Sequence, residues 1–267
     1  MRFSRSAAIV LRQYYLVRGG FTRVFQMFVW VAIDIVLWGF ISRYLTMVAP
    51  SGPDFVPTLL GAVVLWNFFT RVMQGVTMAF FEDVWARNFL NMFASPITIY
   101  EYLAGLVVSS IVTSTVGLLA MLVVATLVFG LSAAAYGLAV LPFLLVLFLF
   151  GIALGIVGCA LVLRLGPAAE WFVWPIPAII SPFVGVFYPV ETLPTWMQAI
   201  GRALPPTYVF EGVREVVAGG GVSYGSLGIG AALALVSILL ASWLFARVFR
   251  YAVRGGLIAR YSAESVS

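Results

Sequence analysis

Six apolar segments, each about as long as a lipid bilayer is thick, determine what this chain can fold into. A helix needs about 20 residues to cross a hydrocarbon core of about 30 Å. Of the 267 residues, 63% are hydrophobic and 9% charged, whereas soluble proteins carry about 25% charged residues. We therefore predict an all-α integral membrane protein that forms one domain, residues 1–267. Its six transmembrane helices are expected at about 24–42, 57–81, 103–129, 137–163, 171–189 and 225–246.

The basic residues predict how these spans are oriented. All fifteen are arginine, and they lie mainly beside the apolar segments, where they report topology rather than nucleic-acid binding. With the N-terminus inside, only Arg43, Arg202 and Arg214 fall outside, Arg71 lies within a span, and every other arginine is cytoplasmic. Both termini are therefore expected in the cytoplasm.

Two spans contain residues that predict unusual helix contacts. In the fourth span, Gly151, Gly155 and Gly158 lie close to one helical face, which permits close contact with another helix. The fifth span contains several prolines, so we expect it to be kinked or partly unwound.

The N-terminal segment Phe3–Arg18 has the pattern of an amphipathic helix. Its apolar positions recur at helical spacing. They are Phe3, Ala7, Val10, Tyr14 and Val17. The opposite face holds Arg2, Arg5 and Arg12. We predict that this helix lies flat on the cytoplasmic surface of the membrane, with the arginines turned away from it.

The loop between spans two and three contains a second amphipathic pattern. One helical face holds Trp85, Phe89, Met92 and Phe93. The other holds Arg87, Asn88 and Asn91. Ser95 and Pro96 end this helix, and Thr98 with Glu101 forms a capping box that starts span three. A plain connector rarely needs its own amphipathic helix, so we interpret the loop as a docking surface for a cytoplasmic partner.

The segment FYPVETLPTWMQAIGRALPP, between spans five and six, is too broken to span a bilayer and too apolar for a solvated loop. We expect two short helices, about 194–203 and 207–217, separated by Pro205 and Pro206. Two interpretations stay open: a re-entrant hairpin packed against the spans, or an amphipathic loop resting on the headgroups. The candidate residues of this hairpin are Pro194, Trp196, Pro205, Pro206, Tyr208, Glu211 and Arg214.

Two charges fall within the spans, at equal depth. Asp34 and Arg71 both lie about 15 Å from the cytoplasmic edge, at 1.5 Å per helical residue. An unpaired charge there costs at least about 2.5 kcal/mol, so we predict an Asp34–Arg71 ion pair. In the alternative, Arg71 with Asn67 and Gln74 faces a translocation path and meets an anionic or polar group.

The residues that most enzymes need are scarce in this sequence. The chain has no lysine, so it contains no Walker A site of its own, and any ATP must be bound by another polypeptide. It has no histidine and one cysteine, Cys159, which leaves no plausible metal site. We predict no enzymatic activity and no cofactor in this chain.

The order of these parts resembles the type-2 ATP-binding-cassette (ABC) export permeases over nearly the whole chain. The most specific segments are SPITIYEYLAG, Ser95–Gly105, and Phe187–Arg214, which reads FYPV..LP.W...I...LP.TY..EG.R. The resemblance implies a coupling helix at Asp83–Ala94 that contacts an ATPase subunit, with ATP and Mg bound by that subunit. The coupling residues would be Asp83, Trp85, Arg87, Asn88, Asn91, Ser95, Pro96 and Glu101. Phe3–Arg18 would be the interfacial connecting helix, and Pro194–Val217 the external hairpin.

The resemblance also implies a function. The chain would be the membrane subunit of an exporter in the bacterial plasma (inner) membrane, moving a lipid-like, glycolipid or drug-like amphipathic substrate. It would pair with a second copy, or with a related chain, and with nucleotide-binding subunits. The first span lacks the basic run and proline expected of polysaccharide exporters. A rival function is an ion-gradient-driven transporter or channel whose polar core is Asp34 and Arg71.

Overall fold

The computed structural model describes residues 3–48, 55–86, 88, 92, 95–132 and 136–255, and all the regular secondary structure in these ranges is helical. A π-helical turn at Val56–Leu60 precedes α3, and a 3-10 turn at Gly137–Ala139 precedes α5. The helices are α1 Phe3–Arg18, α2 Phe21–Val48, α3 Gly61–Trp85, α4 Ile99–Phe129, α5 Val140–Leu165, α6 Glu170–Val173, α7 Ile176–Ile180, α8 Thr195–Arg202, α9 Pro205–Val217 and α10 Tyr224–Arg254.

Four of these helical segments are long and apolar enough to cross a membrane, counted over the described ranges. They are Val56–Trp85, Ile99–Phe129, Gly137–Leu165 and Tyr224–Arg254. They correspond to the second, third, fourth and sixth predicted spans. The first predicted span, 24–42, lies within α2, which is 28 residues long. The prediction of an all-helical, multi-pass membrane protein is therefore confirmed, and the count of six spans stays a prediction.

The fifth predicted span differs from expectation. Over 171–189 the chain forms only the short helices α6 and α7, followed by turns at 181–188. Pro175, Pro177 and Pro182 cause this, because each lacks the N–H that a continuous helix needs and clashes with the preceding turn. The interruption of this segment is as predicted, but a span-length helix is not formed.

Helix α3 lies at the centre of the bundle. It packs between α4 and α5, α10 packs on the other side of α5, and α2 packs on α4. The core is an apolar stripe along α3, which stacks on α5 through the rings of Phe69 and Phe150, 5.7 Å apart. The fully buried members of the stripe are Phe69, Val72, Met73, Val76 and Phe80.

The glycine face of α5 brings these two helices together, which confirms the predicted close contact and identifies α3 as its partner. A Cβ atom added at Gly155 would lie 2.9 Å from the Val76 Cβ and 3.0 Å from the Met73 carbonyl oxygen. Gly151 and Gly158 are equally close to α3. Small residues allow such approach in lipid, where van der Waals packing rather than water drives helix association.

The bundle has two distinct ends. At one, which we call the α1 end, α1 covers the last turn of α3 and the first turns of α4. At the other, the hairpin end, α9 covers the start of α5 and α10, and α8 packs on α9. Because α3 and α5 run in the same direction, α5 and α10 both finish at the α1 end.

The α3–α5 contact predicts that Gly155→Ala destabilises the protein. The added methyl group must displace a backbone carbonyl, and overpacking of this kind costs about 1–3 kcal/mol. Gly228→Ala is the matched control, because nothing lies within 4 Å of a Cβ atom at Gly228 on α10. Thermal unfolding in detergent should show a lower midpoint for Gly155→Ala and an unchanged or higher midpoint for Gly228→Ala. Equal midpoints would contradict the close packing.

Candidate functional site

A buried carboxylate holds the α1 end together. Asp83, in the last turn of α3, is 1% exposed. The Arg12 guanidinium of α1 donates to both of its oxygens, with Nη1 at 2.9 Å from Oδ2 and Nη2 on Oδ1. The Tyr102 hydroxyl of α4 donates to Oδ2 at 2.5 Å. Asp83 therefore joins three helices through charge-assisted hydrogen bonds, which are the stronger class of such bonds.

A second buried carboxylate lies one helix further along the chain. Glu101 of α4 is 3% exposed, and Arg5 Nη1 of α1 lies 3.4 Å from its Oε2. The same Oε2 accepts from the Thr98 N–H at 3.1 Å, and the Thr98 hydroxyl accepts from the Glu101 N–H at 3.3 Å. The predicted capping box is confirmed, and its carboxylate also binds α1. The Ser6 hydroxyl adds a bond of 3.0 Å to the Glu101 carbonyl.

These contacts correct the predicted orientation of α1. Arg5 and Arg12 do not point away into water; they face the bundle, because the buried carboxylates of α3 and α4 need cations. Side chains on the other side of the helix, including Leu11 and Tyr14, are more than half exposed. The hydrogen bond to Asp83 raises the pKa of Arg12 despite the opposing effect of partial burial, so its guanidinium stays charged at any pH the fold tolerates.

The predicted coupling helix, 83–94, begins inside α3. Asp83 to Trp85 form the last turn of α3, so Asp83 belongs to the core, whereas Trp85 is 44% exposed and stacks on Phe81. Beyond that turn, the Met92 N–H donates to the Asn88 carbonyl at 2.9 Å, which is the spacing of a helical turn. Ser95, which is half-buried, and Pro96, which is exposed, follow. Arg87 and Asn91 lie outside the described residues.

The hairpin end forms the two predicted short helices, α8 and α9. Pro194 is the N-cap of α8, whose Trp196 is 60% exposed. Pro205 and Pro206 do not form a separate break, because they are buried and begin α9. In the first turn of a helix the N–H groups have no acceptor within the helix, so a proline there costs no hydrogen bond. Helix α9 packs against α5 and α10, as expected for a hairpin that contacts the spans.

A polar network fixes the loop that precedes this hairpin. Arg214 Nη2 donates to the carbonyls of Gly185 at 2.6 Å and Tyr188 at 3.2 Å, and Nη1 bonds Glu211 at 2.9 Å. Glu211 in turn accepts from the Val190 N–H at 2.8 Å. The Tyr208 hydroxyl closes the hairpin on itself, at 2.8 Å from the Arg202 carbonyl oxygen. The loop has little regular secondary structure, so these side chains supply hydrogen bonds that its backbone N–H and carbonyl groups would otherwise lack.

A polar crevice lies halfway along α2, α3 and α4. Asn67 Nδ2 of α3 donates to Asp34 Oδ2 of α2 at 2.6 Å. One turn further along α3, Arg71 lies over Gly117 of α4, where an added Cβ atom would be 2.9 Å from its Cδ and Nε. The Arg71 Nε is buried without a hydrogen-bond partner, and so is the hydroxyl of Ser114 on the same face of α4.

The predicted Asp34–Arg71 ion pair is not formed in the described structure. Equal depth put the two residues at the same level, but packing decided which way each side chain points. The small side of α4 at Gly117 admits the long Arg71 side chain, and Asn67 takes the Asp34 carboxylate instead. Gln74 is half-buried on the same face of α3 as Asn67 and Arg71.

Sequence reasoning missed the residues that complete these sites. Arg5 and Arg12 were assigned to an outer face, and Tyr102, Ser114 and Gly117 were not singled out. Asp83 and Glu101 lie next to apolar spans on the same side of the membrane as the arginines of α1. This pattern could have predicted that Arg5 and Arg12 pair with them. Ser114 and Gly117 carried no comparable signal, since small residues recur throughout α4.

A model of the ABC-2 type transporter family matches residues 9–217. The match begins in α1 and ends at the last residue of α9, so it covers Arg12, Asp83, the crevice around Arg71 and the hairpin end, but not Arg5, Ser6 or α10. The chain belongs to the ABC-2 type transporter family, whose members are the membrane permease components of ABC transporters and normally work with an ATP-binding subunit. No curated protein matches this chain.

The α1 end predicts a characteristic result from a double-mutant cycle. Arg12→Gln should lower the free energy of unfolding by about 3 kcal/mol, because it leaves the Asp83 carboxylate buried with only the Tyr102 hydroxyl. Adding Asp83→Asn should recover part of this loss. The control Arg18→Gln removes an exposed charge of the same helix and should have an effect within about 0.5 kcal/mol. Denaturant unfolding in detergent measures the four proteins of the cycle, which include Asp83→Asn alone, and the control; additive losses would contradict the ion pair.

The loop network predicts faster hydrogen exchange in Glu211→Ala. The Val190 N–H loses its acceptor, and an unsatisfied buried donor costs about 1–3 kcal/mol. Exchange at Val190 should therefore accelerate about tenfold or more, measured by mass spectrometry on the intact protein. Glu215→Ala removes an exposed carboxylate one turn further along α9 and should leave that exchange rate unchanged. If both variants behave alike, Glu211 does not hold the loop.

Proposed function

We propose that this chain is the membrane permease of an ATP-driven exporter. Its cargo would be an amphipathic molecule, lipid-like, glycolipid or drug-like, that leaves the cytoplasm or inner leaflet. A separate subunit would bind ATP and Mg and hydrolyse the nucleotide. Two copies of the chain, or this chain with a related one, would enclose the path. The membership in the ABC-2 type transporter family supports a permease; the cargo and the direction are our proposal.

One observation carries this proposal: the segment between α3 and α4 is tied at both of its ends to the same helix. Asp83, just before the segment, binds Arg12, and Glu101, just after it, binds Arg5. A force applied to this segment would therefore act on α1, α3 and α4 together. An ordinary connecting loop has no need of two buried ion pairs, whereas a surface pushed by a partner does.

The distribution of charge supports a cytoplasmic position for this end. Besides α1, the last turns of α5 and α10 lie here, and they are basic. The arginines of α1, α5 and α10 at this end are Arg5, Arg12, Arg18, Arg164, Arg247, Arg250 and Arg254. An excess of arginine marks the cytoplasmic side of a membrane protein. The ATPase would thus find the segment between α3 and α4 on its own side.

The polar face of α3 supports a wet path or a second copy. Asn67, Arg71 and Gln74 are spaced so that they share one helical face, and each is half-buried in the single chain. Polar and charged groups at this depth face protein or a water-filled cavity, because hydrocarbon cannot solvate them. This face therefore suits the inside of an assembly better than its lipid-exposed outside.

A mechanical route leads from the α1 end to the hairpin end. Closure of the ATPase subunits would push the segment after α3, and α3 would move as a rigid element. The far part of α3 contacts the hairpin, where the rings of Trp66 and Phe210 lie 6.0 Å apart. Movement of α3 would in this way be transmitted to α9, and opening of the hairpin end would release the cargo by alternating access or lateral extrusion.

Association with the ATPase is the property to test first. The chain, purified from its native membrane, should carry a nucleotide-binding subunit in equal amount, identified by mass spectrometry and by retention on immobilised ATP. Trp85→Ala should reduce this amount several-fold, because the exposed indole lies where the partner would dock. Trp196→Ala is the matched control at the hairpin end and should leave the amount unchanged. Both variants should unfold at the wild-type temperature.

Two results would contradict the proposal. Equal retention of the subunit by both variants would mean that the segment after α3 is not the docking surface. Transport by the chain alone in liposomes, driven by an ion gradient and indifferent to ATP, would favour the rival function of a secondary transporter or channel.

A further inference from the structure

Among the residues that the structure describes, the Arg71 side chain has no counter-charge. It lies at the middle of the 30-residue helical segment Val56–Trp85, which would put it at the depth of the bilayer centre. Of the carboxylates in the described chain, none lies within ion-pair distance of Arg71. Asp34, the nearest candidate by depth, accepts from the Asn67 amide instead. A charge at this depth requires a partner or water, and the described residues supply no carboxylate to Arg71, so we look for its partner outside them.

Ser114 points to the same conclusion independently. Its side chain is 1% exposed, and its hydroxyl has no hydrogen-bond partner. Ser110, one turn away on α4, shows what a satisfied hydroxyl does in this bundle: it donates to the Val72 carbonyl at 2.9 Å. The position of Arg71 over Gly117, three residues from Ser114, brings a cation and an unused hydroxyl donor to one part of the α3–α4 contact.

We propose that Arg71 and Ser114 form a binding site for the acidic group of an amphiphile, a phosphate, sulfate or carboxylate attached to an apolar tail. The guanidinium group matches these anions because its N–H groups form two parallel bonds to their oxygens. The tail follows from the surroundings, since α4 is apolar over its length and exposes Val112, Val116 and Leu119 beside this site. The inference deepens the proposed function, on which it rests, by naming the chemical class of the cargo.

The second copy's Asp34 is the rival counter-charge. The structure favours the ligand, because Asp34 is already bonded to Asn67 in its own chain and the Arg71 side chain turns toward α4 rather than α2. The two sources predict opposite results for Asp34→Asn. If an amphiphile supplies the anion, this variant keeps or increases binding; if Asp34 of another copy supplies it, the variant behaves like one that lacks Arg71.

The test measures binding to the purified full chain in detergent, without any ATPase subunit. The probe is fluorescent phosphatidic acid, and the matched uncharged probe is the diacylglycerol with the same label and chains. Fluorescence anisotropy should show that Arg71→Gln binds phosphatidic acid at least about tenfold more weakly than the wild type does. The loss of affinity should be smaller for Arg71→Lys and for Ser114→Ala. Binding of diacylglycerol should be equally weak in all of these proteins. Arg164→Gln, at an exposed arginine, should bind both probes as the wild type does.

Competition separates the sources of the anion. Dodecyl phosphate should displace the labelled phosphatidic acid, whereas inorganic phosphate at the same concentration should not, because it has no tail. Displacement by inorganic phosphate would overturn the assignment to an amphiphile. Unchanged binding in Arg71→Gln, or equal loss in Asp34→Asn or Arg164→Gln, would overturn the site itself. Since no ATPase is present, failure of the ATP-driven function would leave this result unaffected, and the two failures are distinguishable.

Discussion

Burial of the Asp83 carboxylate is the constraint on which the α1 end depends. A bare carboxylate inside a protein is unfavourable by several kcal/mol, so its position is tenable only because Arg12 and Tyr102 both bind it. In satisfying it, the chain brings α1, α3 and α4 to one point. The orientation of α1 follows, because the arginine that neutralises Asp83 must face the bundle.

At the hairpin end, too, an arginine satisfies polar groups, but these are backbone carbonyls rather than a carboxylate. The loop after α7 has no regular structure, and its carbonyls at Gly185 and Tyr188 would be unsatisfied without the Arg214 guanidinium. The two ends are thus fixed by arginine in different ways, while the middle of the bundle holds Arg71, which has no partner among the described residues. That contrast is why the middle, and not either end, is the place where we expect a ligand to bind.

The close packing of α3 on α5 bears on how movement would pass from one end of the bundle to the other. The contact of α3 with α5 is close along its length, because Gly151, Gly155 and Gly158 leave no side chains between the helices. A closely packed helix pair moves as a unit rather than bending. A displacement of Asp83 would therefore also displace Trp66 and the hairpin that it contacts. The crevice around Arg71 lies between these two points.

The helical membrane fold, the capping box at Thr98 and Glu101, and the interruption of the fifth segment could all be predicted from the amino-acid sequence, because hydrophobic length, local capping and proline act over a few residues. The hairpin helices could be predicted in the same way. The partners that the charges take became visible only in the folded chain: Arg12 with Asp83, Asn67 with Asp34, and Arg71 with none in the described chain. Depth follows from counting residues, but the direction of a side chain depends on how helices rotate and pack. That rotation is set by distant contacts such as those of the glycine face of α5.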